Sequence, residues 1–293
     1  MSGPGQKEQS RETAILLISC PDAIGIDAAV TNFLSSHRGN IVDFDQHVDK
    51  EQNIFFLRVE WEMEGFSLSK EKTEAEIAVL AKPFNMSWSL RYSSAVPRMA
   101  VFVSKQPHCL YDLLARVQSG EWRVEIPLII SNHQDMEPLA RRAGIPFFHI
   151  PVSRETREAA ETRQIALLKE NRVDFIVLAR YMQILTPQII AEFPGRIINI
   201  HHSFLPAFPG AKPYHSAHAR GVKIIGATSH YVTEDLDAGP IIEQDVIRVS
   251  HKDSVDDLVR RGRDLEKIVL SRAVWRHLQS KILVYSNKTV VFG

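Results

Sequence analysis

The chain has 293 residues, of which 44% are hydrophobic and 24% charged, the proportions of a globular protein with room for two domains. Lys+Arg and Asp+Glu both number 35, so there is no excess positive charge to hold a nucleic acid. Only two cysteines occur, Cys20 and Cys109, which argues against a secreted disulfide framework and for a reducing cytoplasm. The opening MSGPGQKEQSRE is polar and lacks the apolar centre of a signal peptide, so residues 1–11 are expected to form a disordered tail. No apolar run reaches the roughly 20 residues needed to span a membrane.

TAILLIS, residues 13–19, reads as a strand. PDAIGI follows as a turn into a helix over residues 26–37, where Ile26, Ala29, Val30, Phe33 and Leu34 recur at helical spacing. Asp22 is the expected cap of that helix. NIVDFDQHVD and NIFFLRVEWE read as two strands with a turn at 49–53, followed by a helix over 71–80 and a strand in NMSWSLRYSS. The order β-α-β-β-α-β within about 80 residues is ferredoxin-like.

The texture changes after Pro97. RMAVFVS, EIPLIISN, FFHIPV, VDFIVLAR and RIINI are short apolar runs separated by HCLYDLLARVQ, MEPLARRAG and ETREAAETRQIALLKE, which have helical character. Strands that alternate with helices predict a mostly parallel, Rossmann-like α/β sheet covered on both faces. KIIGATSHYVTE and PIIEQDVIRVS read as two longer strands that pair as an antiparallel extension. Residues 254–279 follow as a long amphipathic helix and KILVYSNKTVVFG as a terminal strand pair. The expected division is residues 12–94 and residues 95–293, joined near 94–98.

Chemistry concentrates in NIHHSFLPAFPG, residues 199–210, where the strand RIINI gives out. Open parallel sheets bind ligands beyond the carboxyl ends of their strands. Asn199 and His201 are two apart and can share a face, which sends His202 elsewhere. An imidazole moves protons near neutral pH and a side-chain amide can donate to a carbonyl oxygen that gains charge. Asp237 in TEDLDAGPII could orient the imidazole or water. Against this stands a plain strand end and an ordinary Asp-Gly-Pro turn. His201, His202, His215, His218 and His230 make the region His-rich, yet no Cys and no HExxH pattern joins them, and no metal is expected. His215 and His218 read as helix-surface or loop-packing residues.

The stretch from NIHHSFLP to LDAGPIIEQ, with LARYMQIL upstream, resembles the catalytic core of the folate-dependent formyltransferase superfamily across residues 98–250. Its signature is Asn-x-His at a strand end, then Ser-x-Leu-Pro, then Leu-Asp-x-Gly-Pro. Residues 12–94 resemble an ACT domain, and that order of domains, with HHSFLP, is similar to the deformylases of the superfamily. The resemblance implies hydrolysis of 10-formyltetrahydrofolate to tetrahydrofolate and formate, balancing the folate pool and supplying formate for purine synthesis. It implies Asn199, His201 and Asp237 as catalytic residues. It places the folate against Tyr181, Met182, Gln183, Ile184 and Leu185 and the loop with Glu234 and Asp235, with His230 as a second-line donor or a satisfied strand histidine. No cofactor is expected beyond the folate substrate. In the ACT-like segment Pro21, Asp22, Gly25 and Ile26 form the expected loop for an amino-acid effector, and a homo-oligomer (dimer or tetramer) is expected.

One departure from the superfamily's glycinamide ribonucleotide transformylases, whose first strand leads into a Gly-rich loop that grips the substrate phosphate, can be argued on physical grounds. A phosphate-gripping loop needs glycine so that backbone N–H groups approach the anion. The matching stretch here is VSKQPHCLYDLL, and no glycine occurs between Arg98 and Ser119. Water then remains as the nucleophile, although Lys105 and His108 could hold an anion another way. A formyltransferase with an amine acceptor and a catalytically silent sensor are the alternatives.

Overall fold

The computed structural model of the chain describes residues 11–206 and 213–293. It divides into two compact units, one of residues up to Ala95 with Val290–Gly293, the other Val96–Thr289. The last four residues, expected in the second domain, thus belong to the first, where the Gly293 N–H donates to Asp45 at 3.2 Å. The motif residues 207–210 and residues 1–10 of the expected tail (1–11) lie outside the described residues. No described helix is long and apolar enough to cross a membrane.

The first unit runs β1 (Thr13–Pro21), α1 (Ile26–Ser36), β2 (Asn40–Asp49), β3 (Ile54–Glu62), α2 (Lys70–Ala81) and β4 (Ser87–Tyr92). Its antiparallel sheet has the order β2-β3-β1-β4. Strand alternation sends Ala14, Leu16 and Ile18 to one face with Leu57 and Val59. Ile26, Val30 and Leu34, four apart on α1, cover them. Asp22 does not cap α1. The cap is Gly25 at φ 94°, without a side-chain bond, and the Asp22 N–H instead donates to Asn53 O at 2.9 Å.

The second unit runs β5 (Met99–Val103), α3 (His108–Gln118), β6 (Ile129–Ser131), α4 (Glu137–Arg142), β7 (Phe147–His149), α5 (Arg157–Glu170), β8 (Phe175–Ala179), α6 (Pro187–Glu192), β9 (Ile197–His201), α7 (Pro213–Arg220), β10 (Ile224–Tyr231), β11 (Ile241–Arg248) and α8 (Val255–Leu278). A separate pair, β12 (Ile282–Tyr285) and β13 (Lys288–Val291), follows. The main sheet has the order β11-β10-β9-β8-β5-β6-β7. It is parallel from β7 to β9, and β10 and β11 add as an antiparallel extension. The order reverses between β5 and β8, the switch point where open sheets leave a crevice.

β5 and β8 are buried along their whole length, as continuous apolar runs in a parallel sheet must be. Alternation divides them between two cores. Val101, Val103, Val177 and Ile198 pack with Leu113 of α3 and Val269 of α8. Phe102, Ile176 and Ile197 pack with Leu168 of α5 and Ile189 of α6. Helix α6 was not among the expected elements, and α7 was expected only as a helix surface or loop carrying His215 and His218.

α8 starts at a capping box, Ser254 with Asp257, and keeps a glycine in its interior. A Cβ on Gly262 would lie 2.1 Å from the Tyr214 hydroxyl. Gly262→Ala should therefore destabilise the protein by about 1–3 kcal/mol through overpacking, net of the roughly 1 kcal/mol that alanine gains in helix propensity. Urea unfolding checks this, and a stabilised variant would contradict the packing described.

Candidate active site

Asn199 and His201 extend from β9 on the face that Ile197 shares with α5 and α6. The antiparallel neighbour β10 sets Thr228 across from His201 and His230 across from Asn199. Cross-strand pairs sit about 5 Å apart, so four polar side chains gather at one edge of the crevice. His230 Nδ1 lies 2.9 Å from the Tyr231 carbonyl, which can only accept, so Nδ1 carries the proton. His230 Nε2 is then an acceptor in the neutral ring, and Asn199 Nδ2 donates to it at 3.2 Å. That bond fixes which end of the Asn199 amide is the donor end and leaves its second N–H for another acceptor.

Asp237 Oδ2 lies 3.3 Å from His201 Nδ1, and Oδ1 lies 3.7 Å from His230 Nε2. Hydrogen bonding from His201 holds the Asp237 carboxyl well below the usual carboxylate range and outweighs burial. Of the two, His201 is the firmer partner, since His230 Nε2 is engaged by Asn199. With Nδ1 turned to Asp237, His201 Nε2 is buried and has no partner among the described residues. A buried imidazole nitrogen left open costs free energy unless a ligand completes it.

The backbone around Asp237 is held as tightly as the side chain. Asp237 has φ 54°, left-handed and unfavourable for a residue with a Cβ by roughly 1–2 kcal/mol. The turn is pinned where Gly239 meets β10, since a Cβ there would lie 1.9 Å from the Tyr231 carbonyl. The Tyr231 N–H donates to Pro240 O at 2.9 Å, and Asn287 Nδ2 donates to Ala238 O at 2.7 Å. After β9, Thr228 anchors the next loop. Its hydroxyl donates to Ser203 O at 2.9 Å and accepts from the Leu205 N–H at 3.0 Å.

The residues expected against the folate divide by the alternation of the segment. Met182 and Ile184 are exposed, at 52% and 54%, two positions apart on the same segment. Gln183 is half-buried beside them. Tyr181 and Leu185 turn their side chains into the core under α5, which leaves their backbone for a ligand. The Tyr181 ring packs edge-on against Phe102 and its hydroxyl accepts from Gln164 at 3.2 Å. Burial pushes its pKa up to about 12. Glu234 and Asp235 are exposed, and between them and Asp237 stands Leu236, 64% exposed, an apolar group not singled out from the sequence. In the first unit Pro21, Asp22 and Gly25 are exposed, whereas Ile26 is fixed in the core and cannot offer its side chain to an effector.

His202 takes the opposite side from His201, as alternation requires. Its ring lies 5.2 Å from that of His201 and 5.9 Å from that of Tyr214. It lines a cavity of about 150 Å³, mostly apolar, with Phe204, Ile225 and Val246. None of Asn199, His201 and Asp237 lines that cavity. His215 and His218 are exposed on α7.

Sequence reasoning missed a buried ionic cluster at the switch point. Glu266 of α8 is 1% exposed. Its carboxylate lies 2.8 Å from His108 Nε2, accepts from the Tyr214 hydroxyl at 2.7 Å, and lies 3.3 Å from Arg180 Nε. Burial opposes its ionisation, but the bond from His108 and the charge of Arg180 prevail and its pKa is lowered. Arg180 Nε is close but not aligned for a hydrogen bond, so that contact is Coulombic. Arg180 has φ 63°, which ends the alternation of β8 and turns its side chain to α8.

The carboxamide, imidazole and carboxylate gathered beyond the ends of a parallel sheet are groups that can polarise a carbonyl and move a proton. Residues 97–274 match the formyl transferase family. The chain is 56% identical to the formyltetrahydrofolate deformylase of Synechocystis sp., over 96% of this chain and 99% of that one. A solved formyltetrahydrofolate deformylase from Pseudomonas syringae superposes with a TM-score of 0.96 at 47% identity, covering 98% of this chain and 96% of that one. A glycinamide ribonucleotide transformylase from Symbiobacterium toebii superposes with a TM-score of 0.65 at 30% identity, covering 70% of this chain and 98% of that one. The chain belongs to the formyltetrahydrofolate deformylase family.

Asp237 ties the site to acid stability. Its folded pKa lies below the ordinary 3.8, so its contribution is full above that value and fades as pH falls through the folded pKa. The stability lost in Asp237→Asn should therefore be constant at roughly pH 5 and shrink steadily below it. Urea titrations of both proteins between these limits check this, and a difference that grows with acid would contradict the geometry.

Proposed function

We propose that this enzyme hydrolyses 10-formyltetrahydrofolate by direct attack of water on the formyl carbon, with Asn199, His201 and Asp237 as the catalytic residues. The observation that carries the roles is the open, buried Nε2 of a His201 whose Nδ1 is held by Asp237. Nε2 takes a proton as the water oxygen bonds to carbon, and the imidazolium that forms is stabilised by the Asp237 carboxylate. The free N–H of Asn199 and the new imidazolium donate to the tetrahedral oxyanion. The bond from carbon to N10 then breaks, His201 returns the proton to N10, and formate and tetrahydrofolate leave. Every charge in this sequence is met by a protein hydrogen bond, so the chemistry requires no metal or redox cofactor. The formate so released would supply purine synthesis.

The exposed Met182 and Ile184 and the backbone of 181–185 would receive the folate ring, with the loop of Glu234, Asp235 and Leu236 facing it. For the first unit the reading is an ACT-type module, supported by its sheet order and by the exposed loop of Pro21, Asp22 and Gly25, where an amino-acid effector would bind. The edge strand β2, with Ile41, Val42 and Phe44 exposed, favours a homo-oligomer. Two buried free cysteines suit a cytoplasmic protein.

Removing one oxyanion donor costs on the order of 100- to 1000-fold, and removing the carboxylate that orients a catalytic imidazole about 10⁴-fold. Asn199→Ala and Asp237→Asn should lose kcat by these amounts while keeping their circular dichroism. Formate and tetrahydrofolate, followed together without any acceptor, provide the measurement. Near-wild-type turnover in either variant would remove that residue from the mechanism.

A further inference from the structure

The crevice between β5 and β8 is where an open sheet of this order receives a ligand, yet side chains of the chain itself occupy it. His108 stands in the first turn of α3, just beyond β5, and Arg180 directly follows β8. The Ser104 N–H donates to Arg180 O at 3.3 Å, so the two strand ends are bonded at this point. Glu266 reaches between them from α8 and Tyr214 closes the cluster from α7. We propose that Glu266, with His108, Arg180 and Tyr214, fills this crevice from within and bars an acceptor amine, so that water is the formyl acceptor. The proposal rests on the hydrolytic reading above.

Three observations carry it. The cluster adjoins the catalytic histidine, because the His202 ring bridges from His201 to Tyr214 and Tyr214 donates to Glu266. The cluster is also paired in charge, with Arg180 and His108 both at the Glu266 carboxylate, although His108 Nδ1 and Arg180 Nε have no hydrogen-bond partner among the described residues. Its guanidinium is neutralised by its carboxylate, so an anionic acceptor would find no uncompensated cation there. Finally it is built to stay closed, since Gly262 on α8 is the space into which the Tyr214 hydroxyl fits. A metal site at His108, Cys109 and Glu266, whose donor atoms lie within 4.8 Å of one another, is the competing reading. Arg180 at the same carboxylate and a thiol held neutral by burial both oppose a bound cation.

Hydroxylamine tests the proposal as a small uncharged nucleophile. If it enters, its nitrogen bonds to the formyl carbon, the bond to N10 breaks and the amine proton passes to N10, giving N-formylhydroxylamine and tetrahydrofolate. The wild-type enzyme should give formate and tetrahydrofolate in equal amounts with hydroxylamine present, and no trapped product above the enzyme-free control. Glu266→Ala and His108→Ala each open the crevice and should raise trapped product per turnover by on the order of tenfold or more. Acetate, which can refill the place of the carboxylate, should suppress trapping in Glu266→Ala alone. Should Glu266→Ala not fold, His108→Ala, which keeps the Arg180–Glu266 pair, carries the test. Trapping by the wild type, or folded variants that release formate only, would overturn the proposal. A wild type that releases no formate even without hydroxylamine would overturn the hydrolytic reading instead.

Discussion

The contact between Asp237 and His201 is the constraint from which the rest of the site follows. A carboxylate held ionised against Nδ1 leaves Nε2 as the nitrogen without a partner among the described residues. Holding it there requires a left-handed residue with a side chain, which the surrounding turn must enforce. Gly239 allows that turn to lie directly on the β10 backbone, and Asn287 ties its outer side. The pairing of β10 with β9 then brings His230 against Asn199, so the amide and the imidazole are positioned by one ladder.

A second constraint acts from the other side of the sheet. Consecutive histidines at a strand end must part, and here each joins a different carboxylate. His201 turns to Asp237, which is partly open to solvent, and His202 turns to Tyr214 and through it to the buried Glu266. Adjacent residues at the end of β9 thus lead to two carboxylates, one half-buried and one buried. The long helix α8 makes the second arrangement rigid, since its capped start and its glycine both bear on where Tyr214 and Glu266 meet.

Much of this was legible in the residues. β5 and β8 read as buried strands because nothing polar interrupts them, and the alternation in NIHH correctly separates His201 from His202. Asn199, His201 and Asp237 are brought together as their spacing and the family resemblance imply. His230 was ambiguous because a strand histidine looks the same whether it satisfies a carbonyl or orients an amide, and here it does both. Tyr181 and Leu185 part from Met182 and Ile184 because five consecutive residues cannot all turn their side chains to one ligand. Asp22 was a plausible cap by type, but the left-handed Gly25 starts the helix later. Glu266, Arg180 and His108 could not be grouped at all. They are distant in sequence, and only the strand order that joins β5 to β8 makes them neighbours.

The central claim is that Asp237 sets the tautomer of His201, and nitrogen-15 NMR of the histidine side chains tests it most directly. The account predicts a neutral His201 with its proton on Nδ1 and a bare Nε2, and loss of that pattern in Asp237→Asn. A neutral His201 protonated on Nε2 in the wild-type enzyme, unchanged by Asp237→Asn, would contradict it.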